Sequence, residues 1–145
     1  MNLNVKEAYN AMVDFLDKYY EKIHSDNVGS FLGCLVLLND GMPVDIALWE
    51  DWIDSVNKMK KQYKKNEENE PINFTFTQSY EIAEDFLNEY YKRTNSAYED
   101  FGNLIKGMTL LENGKSINPE YWEEWVASAN KIKQLADKAG IMFCD

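Results

Sequence analysis

The chain has 145 residues, with 25 acidic side chains against 15 basic ones and a formal net charge of −10. That length suits one domain with a substantial core. The part up to Ile72 holds thirteen acids and eight bases and the remainder holds twelve and seven, so each part carries −5. No basic region is present to bind a phosphate backbone. Nucleic acid is therefore an unfavourable partner, and a basic protein is a favourable one.

The sequence does not have the pattern of a targeting signal. The first residues lead into an amphipathic segment without a positively charged start and an apolar run, as a signal peptide would have. No stretch approaches the roughly 18 apolar residues of a membrane helix. The two cysteines, Cys34 and Cys144, are far apart and do not suggest a disulfide framework. We therefore expect a cytoplasmic protein that does not associate with membranes.

The chain repeats itself. Residues 6–60 align with residues 77–133 at an offset of 71, which becomes 73 after a two-residue insertion near Ala97. Eighteen aligned positions are identical. They include Asp14-Phe15-Leu16 with Asp85-Phe86-Leu87, Tyr19-Tyr20 with Tyr90-Tyr91, Gly41 with Gly114, and Trp49-x-x-Trp52 with Trp122-x-x-Trp125. A period of about 70 residues predicts one structural unit that is duplicated and packed against its copy.

We predict an all-α fold, in which six helices form a tandem duplication of a three-helix unit with pseudo-twofold symmetry. Residues 1–145 then form a single compact domain, with repeats at about 5–65 and 77–139. Neither unit alone offers enough surface to cover its apolar middle helix, which is why the two are expected to pack together.

In the first repeat, apolar residues at helical spacing predict a helix after Asn4, which is expected to form a capping box with Glu7. A second helix is predicted over 26–38. It is apolar almost all round and is therefore expected to be the most buried element. Gly41 is expected to terminate it.

The third helix is predicted to start after Asp45 as its N-cap and to bury a stripe that contains Trp49 and Trp52. A polar linker follows at 66–70, and the alternating residues 72–76 predict a short extended segment. The second repeat is predicted to form helices over 78–93, 99–111 and 119–139. Asn118 is the expected cap of the last of these helices.

Catalysis and metal binding have little support in the residue types. His24 is the only histidine, and neither cysteine lies at ligand spacing from it or from the other cysteine. A catalytic triad would have to use His24, which falls in the turn after the first helix and aligns with Asn95. We expect a non-enzymatic protein with no metal and no cofactor.

The outer faces of the two third helices are acidic. Asp51 and Asp54 lie opposite the first tryptophan stripe, and Glu120 and Glu124 lie opposite the second. A charged face opposite an apolar stripe is usually only solvated, yet both faces are negative with few compensating lysines. These four residues are the candidates for binding a partner.

The string from Gly29 to Asp45, followed by Trp49-Glu-Asp-Trp52, resembles a family of small acidic bacterial proteins. That family serves as immunity proteins in contact-dependent growth inhibition. The resemblance covers roughly the first 60 residues, and its motif consists of caps, turns and core positions. It implies a cytoplasmic protein that binds and neutralises a toxin domain. The double three-helix pattern leads us to expect that the protein is monomeric or weakly dimeric.

Two other functions remain open at this point. A generic helical adaptor could bind a peptide or protein between the repeats. An enzyme is the third possibility, although no catalytic motif supports it.

Overall fold

The computed structural model describes residues 2–63 and 73–143, which are mostly helical. Within them, six helices and two short strands follow in the order β1 Asn2–Asn4, α1 Val5–Ile23, α2 Asp26–Leu35, α3 Ile46–Tyr63, β2 Asn73–Thr75, α4 Phe76–Arg93, α5 Glu99–Met108 and α6 Pro119–Phe143. The helical class is confirmed, with a small sheet in addition. The predicted linker at 66–70 lies outside the described residues.

The two strands pair with each other and form one side of the core. β1 and β2 are antiparallel, with Leu3 opposite Phe74. Successive strand residues point to opposite faces, so these two side chains are fully buried while their strand neighbours are exposed. The expected extended segment is thus confirmed over Asn73–Thr75. Its partner strand has only three residues, which is too short for an alternating pattern to be recognised.

Both strands lead directly into capped helices. Asn4 Oδ1 accepts a hydrogen bond from the Glu7 N–H at 2.8 Å, and Glu7 Oε1 accepts one from the Asn4 N–H at 2.9 Å. The predicted capping box is therefore confirmed. Thr75 and Gln78 form a second one, with distances of 3.1 and 2.9 Å. This second box starts α4 two residues before the predicted position, because Thr75 belongs to the strand and caps the helix as well.

The predicted end of the second helix is wrong. α2 ends at Leu35, and the next residues form a tight hairpin in place of a last helical turn. The Leu38 N–H donates to the Met42 carbonyl at 2.7 Å, and the Gly41 N–H donates to the Leu38 carbonyl at 2.8 Å. Gly41 has φ +81°, a conformation that favours glycine. This glycine therefore serves the hairpin turn and not the helix end.

α5 differs from its prediction in the same way. It ends at Met108 and not at 111, and a hairpin with Gly114 at φ +81° follows. The Tyr80 hydroxyl from α4 donates to the Met108 carbonyl at 2.6 Å. Carbonyls in the last turn of a helix have no partner within that helix. A side chain from a distant helix supplies the partner here, and a local apolar pattern does not reveal it.

The expectation that the second helix is the most buried element is also wrong. Only Val28, Phe31 and Leu35 of α2 are buried, whereas α1 buries seven residues. Val36 and Leu38, which follow α2, each expose 52% of their surface. The helix packs mainly against α1 and α5, and its other apolar residues, Leu32 and Cys34, are only partly buried.

The third helix of each half lies on the first helix of the other half. α6 packs along α1, α3 packs along α4, and α1 also contacts α4. Trp52 and Trp125 are fully buried at these contacts. Their indole N–H groups donate to the carbonyls of Val5 and Phe76, at 3.2 and 3.0 Å respectively. The tryptophan stripes thus supply core residues, although the first tryptophan of each pair is only partly buried.

The predicted end of the last helix is likewise too early. α6 continues to Phe143, beyond the expected end near 139. A single glycine within a helix costs only about 1 kcal/mol relative to alanine, so Gly140 does not by itself end the helix.

Replacing Trp52 or Trp125 with alanine should lower the free energy of unfolding by about 3–5 kcal/mol, because each change removes a fully buried aromatic ring and its hydrogen bond. Trp49→Ala and Trp122→Ala should cost clearly less, since these side chains are only partly buried. Urea denaturation of the four variants measures the differences. Equal losses within either pair would contradict the difference in burial.

The third helices begin at the predicted caps. Asp45 Oδ1 accepts from the Ala47 N–H at 3.1 Å, and Asn118 Oδ1 accepts from the Glu120 N–H, also at 3.1 Å. Asp45→Ala and Asn118→Ala should each lower the unfolding free energy by about 1 kcal/mol. Asp45→Asn and Asn118→Asp keep a capping oxygen and serve as controls in the same denaturation experiment. Neutral alanine variants would show that these bonds do not stabilise the helices.

Candidate functional site

Ion pairs join α6 to α1 along what we name the α1–α6 seam. Lys22, near the end of α1, lies 3.3 Å from Glu120 Oε2 and also pairs with Glu124, both near the start of α6. Further along, Lys131 Nζ lies 2.9 Å from Asp14 Oδ1. The bond to Glu124, and then that to Glu120, raises the pKa of Lys22. The order of these contacts shows that the two helices are antiparallel.

The contact between α3 and α4, named the α3–α4 seam, has corresponding bonds. Arg93 lies 2.6 Å from Asp51, and Lys58 lies 3.2 Å from Asp85. Asp85 also accepts a hydrogen bond from Ser55 Oγ at 2.8 Å. Each of the four charged residues aligns with the residue that makes the equivalent bond in the α1–α6 seam.

The structure places the four candidate acids at two separate seams. Glu120 and Glu124 meet at Lys22, whereas Asp51 is held by Arg93 in the other seam. Asp54 is exposed on α3, and no cation among the described residues pairs with it.

The sequence interpretation underestimated how many of these carboxylates have a partner. The side chains of Glu124 and Asp51 are only 18% and 22% exposed, whereas that of Glu120 is 68% exposed. Their cations, Lys22 and Arg93, occupy aligned positions at the ends of the two first helices. That correspondence was a signal that could have identified both pairs.

A groove of about 520 Å³ opens at the Lys22 end of the α1–α6 seam. We name it the Lys22 groove. It is lined by Lys18, Glu21, Lys22, Glu120, Glu123, Glu124 and Ala127. Four glutamates thus surround two lysines. Glu21 and Glu123 are exposed, and neither forms an ion pair with a described residue. The charge that this groove presents to solvent is therefore negative.

Two further grooves lie at aligned positions of the two halves but differ in chemistry. One lies between α1, α2 and α6, has a volume of about 430 Å³ and is lined by aliphatic side chains such as Val13, Leu32 and Leu135. We name it the apolar groove. The other, the Glu84 groove, lies between α3, α4 and α5 and has a volume of about 590 Å³. Here Glu84 aligns with Val13, and Glu81 aligns with Asn10.

Burial perturbs the acids of the Glu84 groove. Removal from water raises the pKa of Glu84, and the nearby charges of Glu81 and Asp85 raise it further. Burial alone raises the pKa of Glu81. A carboxylate costs free energy when it loses hydration without gaining a cation. The burial of Glu81 and Glu84 therefore lowers the stability of the folded protein, unlike the burial of the paired acids in the seams.

Asp14, in the apolar groove, shows the opposite balance. Burial alone would raise its pKa, but the hydrogen bond from Lys131, the nearby Ser128 hydroxyl and the charges of Lys131 and Lys18 bring the pKa below its usual value. Its charged form is therefore stabilised in the folded protein.

Membrane helices and metal sites are both absent from residues 2–63 and 73–143. No helix there combines the length and the apolar character that a membrane crossing requires. The same residues do not bring together three or more His, Cys, Asp or Glu side chains that could hold a metal ion. His24 ends α1 in a left-handed conformation at φ 50°, and its N–H donates to the Tyr20 carbonyl at 2.7 Å. It therefore acts as a turn residue, as the sequence predicted.

Comparison of the chain with protein-family models, with curated proteins and with solved structures found no match in any of the three.

The raised pKa of Glu84 predicts how stability depends on pH. Since the folded protein binds this proton more readily than the unfolded chain does, stability falls as pH rises above the ordinary value of 4.5. Glu84→Gln should therefore raise the melting temperature at pH 7, and the gain should disappear below about pH 4.5. Thermal unfolding monitored by circular dichroism across this range tests it.

Asp14→Asn should change stability at pH 7 in the opposite direction to Glu84→Gln. The pKa of Asp14 is lowered, so its charge stabilises the protein above the ordinary value of 3.8 and this contribution is lost as pH falls. The asparagine variant should thus be less stable than wild type at pH 7. A Glu84→Gln variant that also loses stability at pH 7 would show that the carboxylate makes a favourable contact.

Proposed function

We propose that this chain is a non-enzymatic immunity protein that binds and neutralises a toxin domain with a basic surface. The observation that carries the proposal is the Lys22 groove, where four glutamates outnumber two lysines that are already engaged. The resemblance of residues 29–52 to immunity proteins of contact-dependent growth inhibition points to the same class. A cytoplasmic location and a monomeric or weakly dimeric state belong to this proposal, which needs no cofactor.

The electrostatic argument starts from repulsion within the groove. Carboxylates that lie close together without cations of their own repel one another, and lysine or arginine side chains of a partner relieve that repulsion on binding. The net charge of −10 adds a long-range attraction for a basic protein. Such attraction acts mainly on the association rate, whereas buried contacts set the lifetime of the complex.

We assign the partner contacts to Glu120 and Glu124 in the Lys22 groove and to Asp51 and Asp54 on α3. Glu124 and Asp51 are mostly covered and held in ion pairs, so their role is to keep the local surface rigid and negative. Glu120 and Asp54 are exposed and can contact a partner directly.

We also infer that the fold is a tandem duplication with pseudo-twofold symmetry. The matched hydrogen bonds of Trp52 and Trp125, at 3.2 and 3.0 Å, support it, as do the two hairpins with glycine at φ +81°. If so, the surfaces at which the two halves differ are the places to look for a bound partner, because the shared residues serve packing.

The test is association kinetics with the product of the gene directly upstream, where a toxin is expected. Glu120→Lys combined with Glu123→Lys should slow association about tenfold at low salt, and the difference should shrink at high salt. Lys22 keeps Glu124 as its partner in this variant, so circular dichroism should show an intact fold. Co-expression with the toxin should show reduced protection of growth.

A second variant carries the same charge change on α3 and compares the two pairs of proposed contacts. Glu50→Lys combined with Asp54→Lys alters two exposed acids and should slow association less than the groove variant does. An unchanged association rate in both variants would refute steering by these acids. A larger effect on α3 would place the contact at the α3–α4 seam and contradict the role of the Lys22 groove.

A helical adaptor is the second candidate function. The apolar groove favours it, because exposed aliphatic side chains are more stable when a peptide or protein covers them than when they contact water. An adaptor would bind partners that have no toxin activity, and its gene would have no toxin gene beside it.

A further inference from the structure

The apolar groove exposes aliphatic side chains that the fold itself does not require. Val36 and Leu135 on its rim are 52% and 54% exposed. Their aligned positions in the other half, at the same offset, carry Thr109 and Gln62. The same architecture therefore forms with polar residues at these places, and packing does not explain the apolar ones.

The groove is open and elongated. It follows α1 from Asn10 to Asp17, a distance of about 10 Å at 1.5 Å per residue. Three anchor side chains at positions i, i+4 and i+7 of a partner helix span about the same length. An enclosed pocket for a small molecule would cover its rim residues, whereas Val36 and Leu135 are half-exposed. The shape thus fits a helix that lies in the groove.

The charge around the groove is negative. The one lysine of its lining, Lys131, is bound to Asp14 at 2.9 Å. The groove continues into a hollow of about 500 Å³ that contains Asp17 and Asp26. Both are exposed, and among the described residues no cation forms an ion pair with either of them. A basic group at one end of a bound helix would complement these two carboxylates.

We propose that the apolar groove binds an amphipathic α-helix of another protein, with its apolar row against Val13, Leu32, Val36 and Leu135 and its basic end beside Asp17 and Asp26. This goes beyond the proposed immunity function, because it concerns a different groove and a ligand that need not belong to a toxin, and it specifies the ligand that the adaptor alternative would bind. Either proposal can fail without the other.

The probe is a synthetic, fluorescein-labelled helical peptide of about 16 residues, long enough for a stable helix when stapled. It has leucine at i, i+4 and i+7 and two lysines at one end. A second peptide has glutamates in place of the lysines. Fluorescence anisotropy with the full chain should show saturable binding of the basic peptide, and at least about tenfold weaker binding of the acidic one.

Two variants test the location. Val36→Thr combined with Leu135→Gln copies the residues of the other half and should weaken binding about tenfold. Gly33→Lys copies the aligned Lys106. A Cβ at Gly33 would meet no atom within 4 Å, so the fold should tolerate the lysine, which should block the peptide because Gly33 lines the groove. Val44→Thr combined with Ile117→Thr removes exposed apolar surface elsewhere and should leave binding unchanged.

Several outcomes would overturn this inference. The inference is wrong if the wild-type protein does not bind the basic peptide. It is also wrong if neither groove variant weakens the binding. Equal binding of the two peptides would exclude recognition of a basic end. If sedimentation showed a wild-type dimer that Val36→Thr with Leu135→Gln dissociates, a second copy of the chain would occupy the groove.

Discussion

The hydrogen bond from the Tyr9 hydroxyl to the Leu35 carbonyl, at 2.6 Å, is the contact on which the rest of this structure depends. It joins α1 to the end of α2 and supplies a partner for a carbonyl that the helix cannot satisfy. Burial raises the pKa of Tyr9, so the hydroxyl remains a donor. Because α2 ends there, the hairpin starts at a fixed place and directs α3 across the core.

The rings of Tyr9 and of its aligned residue Tyr80 each contact a buried tryptophan. The Tyr9 ring meets Trp52 edge-on at 5.7 Å, and the Tyr80 ring meets Trp125 at 5.7 Å. Edge-on aromatic pairs add about 0.5–1.5 kcal/mol to the effect of burial. These two pairs join each third helix to the first helix of its own half. The same tryptophans also meet rings across the seams, Trp125 with Phe15 at 5.8 Å and Trp52 with Phe86 at 5.5 Å.

The ion pairs of the seams have a different role from the core. Partly exposed pairs contribute only about 0–1 kcal/mol each, so the pairs of Lys22 and Arg93 do not hold the fold together. They do determine which charges remain available. With its lysines engaged, the Lys22 groove presents Glu21 and Glu123 to solvent. The seams thus shape the electrostatic surface more than they stabilise it.

The core residues that the two halves share and the groove residues that differ between them follow different constraints. A core residue such as Trp52 or Phe15 is fixed by close packing, where a change in volume costs several kcal/mol. A groove residue such as Val13 can be replaced by Glu84 in the other half because it lies at the edge of the core. The chemistry of a ligand is therefore to be found where the halves differ.

Periodicity and capping residues were enough to predict the helices, because helix starts depend on local contacts such as that between Asn4 and Glu7. The positions of the candidate acids along α3 and α6 were predictable for the same reason. The end of α2 at Leu35 was not, since it depends on a hydroxyl 26 residues away. The partners of Asp51 and Glu124 also come from distant helices. Local sequence determined which segments form helices, and only the tertiary structure decided which apolar and acidic side chains remained exposed, because burial and ion pairing depend on which helices meet.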